Sequence, residues 1–147
     1  MNIVVYRADR RHLKDINRLI VETKIGDPMS KLKGIFWFVR MDGKIIGCQG
    51  VEILENNTAI FTYLAVDTDY RKCGIGTALF NHAMQFLRAQ DIMVVAFVTM
   101  YYHFNKFKKK GFKTSPRRFL PDEVRNYWMF TAKRYMKCAA MIQNFAQ

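Results

Sequence analysis

The sequence is poor in cysteine and in acidic residues, and each shortage limits what the protein can be. Its three cysteines, Cys48, Cys73 and Cys138, are odd in number and too far apart for a zinc motif. We therefore expect a reduced, intracellular protein, nuclear or cytoplasmic, rather than a disulfide-stapled one. Only 12 acidic residues face 24 lysines and arginines, which gives a formal net charge of +12. This excess predicts an anionic partner or, alternatively, a solvated basic surface that only aids solubility.

Long apolar segments are also missing. The longest, residues 92–98, is far shorter than the roughly 20 residues that a membrane helix needs, so no membrane association is expected. The first residues, MNIVVYRADRR, are too poor in apolar side chains and wrongly charged for a signal peptide. No repeat or linker composition interrupts the 147 residues, and we expect a single domain over residues 1–147.

The hydrophobic pattern predicts a chain in which strands and helices alternate. Asp42-Gly43 and Asn56-Asn57 are typical hairpin turns, and the second leads into an apolar central strand at residues 60–66. Pro28 could open a short helix, and residues 114–121 read as a basic loop. The remaining predicted strands are residues 3–6, 35–41, 44–54, 92–99 and 127–135, and the predicted helices are residues 13–23, 74–89, 101–110 and 136–145. Antiparallel hairpins followed by a βαβ crossover predict an α/β fold with a mixed, mostly antiparallel central sheet flanked by helices.

The most informative stretch is Arg71-Lys72-Cys73-Gly74-Ile75-Gly76, which lies between the central strand and the long helix. Glycine permits backbone angles and close approaches that a Cβ would block. The first N–H groups of the helix lack intrahelical partners, and they favour an anion together with the helix dipole. The stretch therefore predicts a pyrophosphate cradle. The alternative is a plain strand-to-helix turn, because the spacing matches neither the dinucleotide fingerprint nor a P-loop.

This loop resembles the acetyl-CoA site of the GNAT acetyltransferases, whose signature is Arg/Gln-x-x-Gly-x-Gly/Ala. A second stretch, YYHFNKFKKKGF at residues 101–112, is similar to a helix end of the general-control type histone acetyltransferases. Residues 118–120 and 124–127 loosely resemble the C-terminal segment of that group. The resemblance covers about residues 51–127. It implies an N-acetyltransferase that moves an acetyl group from acetyl-CoA directly to a primary amine, with a protein lysine, first of all in a histone tail, as acceptor.

The resemblance also implies which residues hold acetyl-CoA. A strand end would pair its backbone with the pantetheine arm, the glycine loop would hold the pyrophosphate, and a helix start would flank the thiol end. In that order the residues are Leu64, Ala65 and Val66; Arg71, Lys72, Cys73, Gly74, Ile75, Gly76 and Thr77; and Tyr102, His103, Phe104 and Asn105. Tyr102 has an equally weighted alternative as a core aromatic residue.

Two departures from the family pattern concern the residues that would accept or donate a proton in the reaction. The strand position where the histone acetyltransferases carry a glutamate is Ile60, and the position of a common tyrosine acid is Phe107. If Asn56-Asn57 forms a two-residue hairpin loop, Glu55 shares the face of Ile60 and Thr62, because directly paired residues project on one side. Glu55 is therefore the predicted base, acting through water. An odd register slip would replace it with Glu52, and the alternative is that Glu55 only ends an exposed hairpin.

The remaining signals leave alternatives open. Residues 106–118 hold seven basic residues and no acid, which predicts a solvated face or a weaker alternative, a nucleic-acid patch with Tyr101, Tyr102 and Phe119 as stacking platforms. The histidines at positions 12, 82 and 103 are isolated, so no metal is expected. A charge of +12 repels a basic histone tail unless a local acidic groove overcomes it. The residues that could form that groove are Glu52, Glu55, Asp67, Asp69, Asp122 and Glu123. The second function class is a GNAT-shaped module, weak in catalysis, that binds nucleic acid or a protein.

Overall fold

A mixed sheet of seven strands organises residues 2–145, the part of the chain that the computed structural model describes. The strands are Tyr6–Arg7 (β1), Ile35–Met41 (β2), Lys44–Leu54 (β3), Thr58–Val66 (β4), Val94–Thr99 (β5), Lys113–Ser115 (β6) and Ala139–Asn144 (β7). Their order across the sheet is β1-β2-β3-β4-β5-β7-β6. β4 and β5 run parallel, whereas β1 with β2, β2 with β3, β5 with β7, and β6 with β7 are antiparallel. The predicted fold class is confirmed.

The helices within residues 2–145 are Leu13–Glu22 (α1), Ile75–Ala89 (α2), Phe104–Lys108 (α3), Asp122–Arg125 (α4) and Trp128–Thr131 (α5). Short 3-10 turns cover Arg10–His12, Thr68–Tyr70, Tyr101–His103, Arg117–Phe119 and Lys133–Tyr135. None of the helices in this part of the chain combines the length and the apolar character needed to cross a membrane.

The chain divides into two compact units. The first contains the residues up to Glu52 together with Phe61–Gln90, and the second contains Ile53–Ile60 together with the residues from Asp91 onward. β4 therefore contributes its start to the second unit and its end to the first. The single domain over residues 1–147 stays a prediction.

The core of the first unit lies between the sheet and α2. Phe61 packs edge-on against Phe80 of α2, with ring centroids 4.7 Å apart. Trp37 of β2 packs against Phe86 of the same helix at 5.3 Å. The helix comes so close to β3 that a Cβ at Gly47 would lie 2.9 Å from Ile75 Cγ2, so glycine is required there by the packing. The apolar stripe that predicted α2 is therefore the face buried against the sheet.

The start of the chain is held by side-chain caps. Asp9 forms a capping box with His12 at the first 3-10 turn. The strand predicted at residues 3–6 is wrong, since β1 is only Tyr6–Arg7, paired with Phe38 and Trp37. The helix predicted at Pro28 is also wrong. The Asn17 side chain accepts from the Met29 N–H and donates to the Met29 carbonyl, both at 2.8 Å, and so binds that backbone in a non-helical form.

The second unit is built on the antiparallel β5–β7–β6 sheet. β7 pairs with β5 from Val94↔Asn144 to Thr99↔Ala139, and β6 pairs with the outer edge of β7. α3 ends at Lys108, and the turn that follows it closes at Gly111, where φ is +97°. The Phe112 N–H donates to the Phe107 carbonyl and the Gly111 N–H to the Lys108 carbonyl, which is a Schellman motif.

Three C-terminal predictions are wrong. Residues 127–135 were expected as a strand but form α5 and a 3-10 turn, and residues 136–145 were expected as a helix but form β7. The expected basic loop at residues 114–121 contains most of β6 and a 3-10 turn. Pairing with β5 decides the conformation of β7, so tertiary context overrides the local preference of its alanines and methionine for helix.

Arg117 holds the C-terminal segment together. Its guanidinium donates to the carbonyls of Phe130 at 2.8 Å, Tyr135 at 2.8 Å and Cys138 at 2.9 Å. These carbonyls lie at the ends of α5 and of the following turn and just before β7, and the Tyr135 carbonyl also accepts from the Cys138 N–H at 3.0 Å. The Arg117 guanidinium thus donates a hydrogen bond to each of three backbone carbonyls.

We predict that Arg117→Ala lowers the free energy of unfolding by roughly 2–4 kcal/mol, because the variant leaves three partly buried carbonyls without a charged donor. The matched control is Arg118→Ala. Arg118 is exposed and stacks on the Phe119 ring at 4.7 Å, so its loss should cost less than about 0.5 kcal/mol. Urea unfolding followed by circular dichroism measures both values. Equal stabilities for the two variants would show that the three carbonyls find other donors.

Asp67 fixes the end of β4 and generates a second prediction. Its carboxylate accepts from the Asp69 N–H at 3.0 Å and lies 3.2 Å from Lys44 Nζ. The backbone N–H first, and then Lys44, hold the pKa of Asp67 below its usual value. A carboxylate with a lowered folded-state pKa stabilises the protein above the unfolded pKa, about 3.9, and this stability is lost as the pH falls through the folded pKa.

Asp67→Asn should therefore lower the melting temperature by a few degrees at pH 7, with the difference from the parent narrowing as the pH falls below about 4. Thermal melts from pH 7 to pH 2 test the expectation. Asp69→Asn is the control, because the Asp69 side chain is exposed. A difference between Asp67→Asn and the parent that stays constant down to pH 2 would contradict the role given to the Asp67 charge.

Candidate functional site

The predicted anion loop connects β4 to α2 and is open to solvent. Residues 71–74 are all exposed, and Lys72 and Gly74 have φ values of +64° and +83°. Gly74 is the N-cap of α2, and the first helical bond runs from the Ala78 N–H to its carbonyl at 3.0 Å. The N–H groups of the three residues in between precede that bond and point out of the helix end. The loop therefore presents backbone donors at a helix N-terminus, as an anion site requires.

The two glycines of the loop have different reasons to be there. Gly74 is favoured by its positive φ, since the nearest atom to a Cβ would be Ile3 Cδ1 at 3.9 Å. Gly76 lies in helical backbone, and a Cβ there would meet only Val66 Cγ2 at an ordinary 3.6 Å. Nothing within the protein requires glycine at position 76. The open space above it fits a ligand that approaches the helix end closely.

The end of β4 alternates between a buried and a partly exposed face. Phe61, Tyr63 and Ala65 are buried, whereas the side chains at positions 62, 64 and 66 are only partly buried. Arg71 folds back toward this strand end, with its Nε 3.4 Å from the Val66 carbonyl oxygen. The predicted strand contacts Leu64 and Val66 are thus partly exposed, and Val66 lies next to the loop and the start of α2.

The hairpin between β3 and β4 has a three-residue turn instead of the expected two-residue turn. β3 ends at Leu54 and β4 begins at Thr58, and both asparagines have positive φ. One extra residue shifts the register by one, which exchanges the side chains that share a face. A Cβ on Gly50 would lie 2.5 Å from Thr62 Oγ1, so Gly50 and Thr62 lie on one face. Glu52 follows Gly50 by two residues and shares that face.

The shift removes the geometric argument for Glu55, which lies in the exposed turn. The expectation that Glu55 shares the face of Thr62 is wrong, because it rested on the shorter loop. Its role as the base stays a prediction without that support. The neighbouring Asn56 contacts the carboxylate of Glu123, which ties the turn to α4 within the second unit.

The second predicted contact region is the start of α3 in the second unit. Tyr101 and Tyr102 are 75% and 65% exposed, so the alternative of Tyr102 as a core residue is excluded. His103 and Phe104 are half-buried, and Asn105 is exposed. Phe107, in contrast, is buried against Phe97, with ring centroids 4.6 Å apart. Phe107 is therefore part of the core, and it offers no hydroxyl group for acid catalysis.

The basic stretch at residues 106–118 is only partly a free charged surface. Arg117 is bound to backbone carbonyls, as described above. Partial burial, and then the charge of Lys110, lower the pKa of Lys106, whose Nζ lies 5.3 Å from the Phe107 ring centroid. The guanidinium of Arg117 is therefore not available to a nucleic acid, whereas the side chain of Lys106 stays exposed.

The cysteines and histidines form no metal centre in the described part of the chain. No group of three or more His, Cys, Asp or Glu side chains comes close enough there to hold an ion. His12 and His82 pack against Phe38 and Trp37. Burial raises the pKa of the Cys48 thiol to about 12, whereas Cys73 in the loop is exposed.

Comparisons with known proteins agree with this geometry. The chain is 30% identical over 105 residues to a probable N-acetyltransferase camello of Xenopus tropicalis, a match that covers 68% of this chain and 48% of the relative. The chain thus spans about half the length of that curated relative. A GNAT-family acetyltransferase of Staphylococcus aureus superposes with a TM-score of 0.75 at 17% identity, covering 98% of this chain and 99% of that one.

A third similar protein contains the coenzyme. N-acetylglutamate synthase of Neisseria gonorrhoeae, in complex with coenzyme A and N-acetyl-glutamate, superposes with a TM-score of 0.74 at 16% identity, covering 100% of this chain and 36% of that one. The sequence profile of the acetyltransferase (GNAT) domain matches residues 33–114, which include β2 to β5 and the anion loop. Because that match spans more than half of the chain, the protein belongs to the GNAT acetyltransferase domain family.

Proposed function

We propose that the protein is an acetyl-CoA-dependent N-acetyltransferase. The observation that carries the proposal is the exposed loop at residues 71–74, which presents the unpaired N-terminus of α2 beside an unobstructed Gly76. This arrangement fits a pyrophosphate, and the N-acetylglutamate synthase of similar fold binds coenzyme A. Membership of the GNAT acetyltransferase domain family supports the reaction type, the transfer of an acetyl group.

The chain's own residues would bind and orient the coenzyme, which supplies an acetyl thioester when bound. In the first unit, the backbone of Leu64, Ala65 and Val66 would pair with the amide arm, and Arg71 to Thr77 would hold the pyrophosphate. In the second unit, Tyr102, His103, Phe104 and Asn105 stay predicted coenzyme contacts. Each contact of an anion with a helix end contributes on the order of 0.3–1 kcal/mol, so several must act together for micromolar affinity.

The reaction forms a C–N bond between the amine and the acetyl carbon and breaks the thioester C–S bond. The leaving sulfur takes a proton and departs as a thiol, and the ammonium form of the amine releases one proton. A lysine amine has a pKa of about 10.4, so removing its proton at pH 7 costs about 4.6 kcal/mol. A base that accepts this proton is therefore required.

The acceptor that we propose is a primary amine, with two classes to compare. The similarity of residues 101–112 to the general-control type enzymes supports a protein lysine, as in a histone tail. The net charge of +12 supports an acidic amine, and N-acetyl-glutamate is bound by the Neisseria synthase. Three of the six acids expected to form a groove have partners of their own: Asp67 with Lys44, Asp122 with Arg125, and Glu123 with Asn56.

The coenzyme site is tested by Gly76→Glu. Glutamate is a better helix former than glycine, and its charge is favourable in a first turn, so the fold should be kept or stabilised. The same side chain occupies the open space and repels a pyrophosphate, so we expect the affinity for coenzyme A to fall at least about 10²-fold. Calorimetry measures the affinity. Gly74→Glu is less suitable, because the positive φ of Gly74 would strain any substitution.

Gln85→Glu is the matched control. It adds the same charge to an exposed position of the same helix, more than two turns away, and should leave the affinity within about 2-fold. If Gly76→Glu and Gln85→Glu bind coenzyme A equally well, the pyrophosphate does not lie at this loop.

The acceptor class is tested by measuring thiol release from acetyl-CoA with a histone-tail peptide and with free glutamate. If charge dominates recognition, glutamate should be used at least about 10-fold more efficiently at low salt, and the advantage should shrink in high salt. A preference for the peptide at both salt concentrations would favour the lysine class. Coenzyme binding without transfer to any amine would instead support the binding module, for which salt-dependent nucleic-acid binding is the next measurement.

A further inference from the structure

A buried hydroxyl group without a partner lies on the face of β4 that carries Thr62, away from α2. Thr62 Oγ1 is shielded from solvent and has no hydrogen-bond partner among residues 2–145. A buried polar atom of this kind is rare in folded proteins, because its desolvation is not compensated. Such an atom calls for a specific occupant, and a water molecule is the smallest group that can satisfy it.

The surroundings of Thr62 Oγ1 are shaped by two glycines. A Cβ on Gly50 would lie 2.5 Å from both Thr62 Oγ1 and Phe36 Cζ, so the hydroxyl and the ring occupy the space over Gly50. A Cβ on Gly34, where φ is +91°, would lie 3.2 Å from Glu52 Cγ. The missing side chains thus make room for the hydroxyl at one end and for the glutamate stem at the other.

Glu52 and Thr62 face the same side of the sheet and are diagonal neighbours across the β3–β4 hairpin. Thr62 lies opposite Gly50, and Glu52 follows Gly50 by two residues, a separation of about 7–8 Å between such positions. A long side chain and one water molecule span that distance. Leu64, a proposed contact of the coenzyme arm, follows Thr62 by two residues, about 7 Å along the strand.

We propose that Thr62 and Glu52 together hold a water molecule that receives the proton of the acceptor amine, with Glu52 as the final base and Thr62 as a positioning residue. The proposal rests on the proposed N-acetyltransferase function. The ammonium nitrogen gives a proton to the water, which passes one of its own protons to the Glu52 carboxylate. The freed nitrogen lone pair then forms the C–N bond. As the C–S bond breaks, a second proton of the nitrogen passes to the leaving sulfur, and the proton on Glu52 returns to solvent after the thiol leaves.

The first experiment separates positioning from structural support. Thr62→Val removes the hydroxyl and keeps the shape of the side chain, so its melting temperature should stay close to that of the parent. Its kcat at pH 7 should nevertheless fall about 10-fold or more, whereas Thr62→Ser should stay within about 3-fold of the parent. Thr58→Val is the matched control on the same strand. The Thr58 hydroxyl already donates to the Asn56 carbonyl at 3.1 Å, so this variant should lose stability and keep its kcat.

The second experiment identifies the base by pH–rate profiles. Glu52→Gln should lower kcat about 10²-fold or more near pH 7, with partial recovery at high pH where the amine loses its proton to solvent. Glu55→Gln, at the rival carboxylate, should lower kcat near pH 7 by less than Glu52→Gln does. Coenzyme affinity is measured alongside and should be unchanged in Glu52→Gln and Thr62→Val. A kcat that is lowered by Glu55→Gln and not by Glu52→Gln would overturn the assignment.

A readout independent of activity is a high-resolution crystal structure of the parent and of Thr62→Val. The parent should show an ordered water within hydrogen-bond distance of Thr62 Oγ1 and of the Glu52 carboxylate, and Thr62→Val should lack it. A parent structure without a water molecule at the Thr62 hydroxyl would overturn the proposed proton transfer through water to Glu52. If the parent binds coenzyme A but transfers acetyl to no amine, the proposed function fails, and the proposed proton transfer to Glu52 fails as well. If the parent is active and Thr62→Val keeps a normal kcat, the proton transfer through water is refuted while the proposed function stands.

Discussion

The register of β3 against its neighbours is the constraint on which the first unit depends. Two glycines on opposite faces of this strand show which register the packing requires. Gly47 makes room for Ile75 and Leu79 of α2, which would lie 2.9 Å and 3.0 Å from a Cβ, and Gly50 makes room for Thr62 and Phe36. A slip of one residue would drive side chains into both crowded positions and would turn Glu52 to the other face. Close packing on both faces therefore determines which carboxylate faces the accessible side.

The same packing positions the anion loop. Because Gly47 lets the first turn of α2 approach β3, the helix N-terminus lies directly beyond the end of β4. Asp67 reinforces this junction, since its N–H donates to the Ile46 carbonyl at 2.7 Å while its side chain binds the Asp69 N–H. The orientation of the loop thus comes from buried neighbours as much as from its own glycines. We infer that Gly47 substitutions would affect coenzyme binding without touching the coenzyme.

The sequence predicted the parts of the fold that short-range patterns determine. Residues 35–41 and 44–54 were predicted as strands with the observed bounds, because Asp42-Gly43 gives an unambiguous turn. The glycine loop and α2 were also predicted, since glycine spacing and an apolar stripe are local signals. The C-terminal third was not. Arg117 binds residues 13, 18 and 21 positions away, which no local pattern reveals, and it stood in the sequence as one more cation of a basic stretch.

The site was predictable to the same extent. The anion loop follows from a local motif, whereas the candidate base depends on whether the turn before β4 has two or three residues. Asn56 and Asn57 both accept positive φ, so the sequence allows either length, and one residue decides between Glu55 and Glu52. The orphan hydroxyl of Thr62 has no sequence signal at all, because it arises from the crowding of Gly50 by Phe36 and Thr62.

The charge surplus acts on the two stages of the reaction in opposite directions. A positive protein opposes the approach of a cationic acceptor, but positive charge near a bound ammonium group lowers its pKa and so reduces the cost of removing its proton. Screening limits both effects to about 8 Å at physiological salt, so only cations close to the acceptor matter. An acceptor that carries its own anionic groups gains attraction in the first stage and keeps the benefit in the second. The net charge of +12 therefore favours an acidic amine over a basic tail through those cations that lie close to the acceptor.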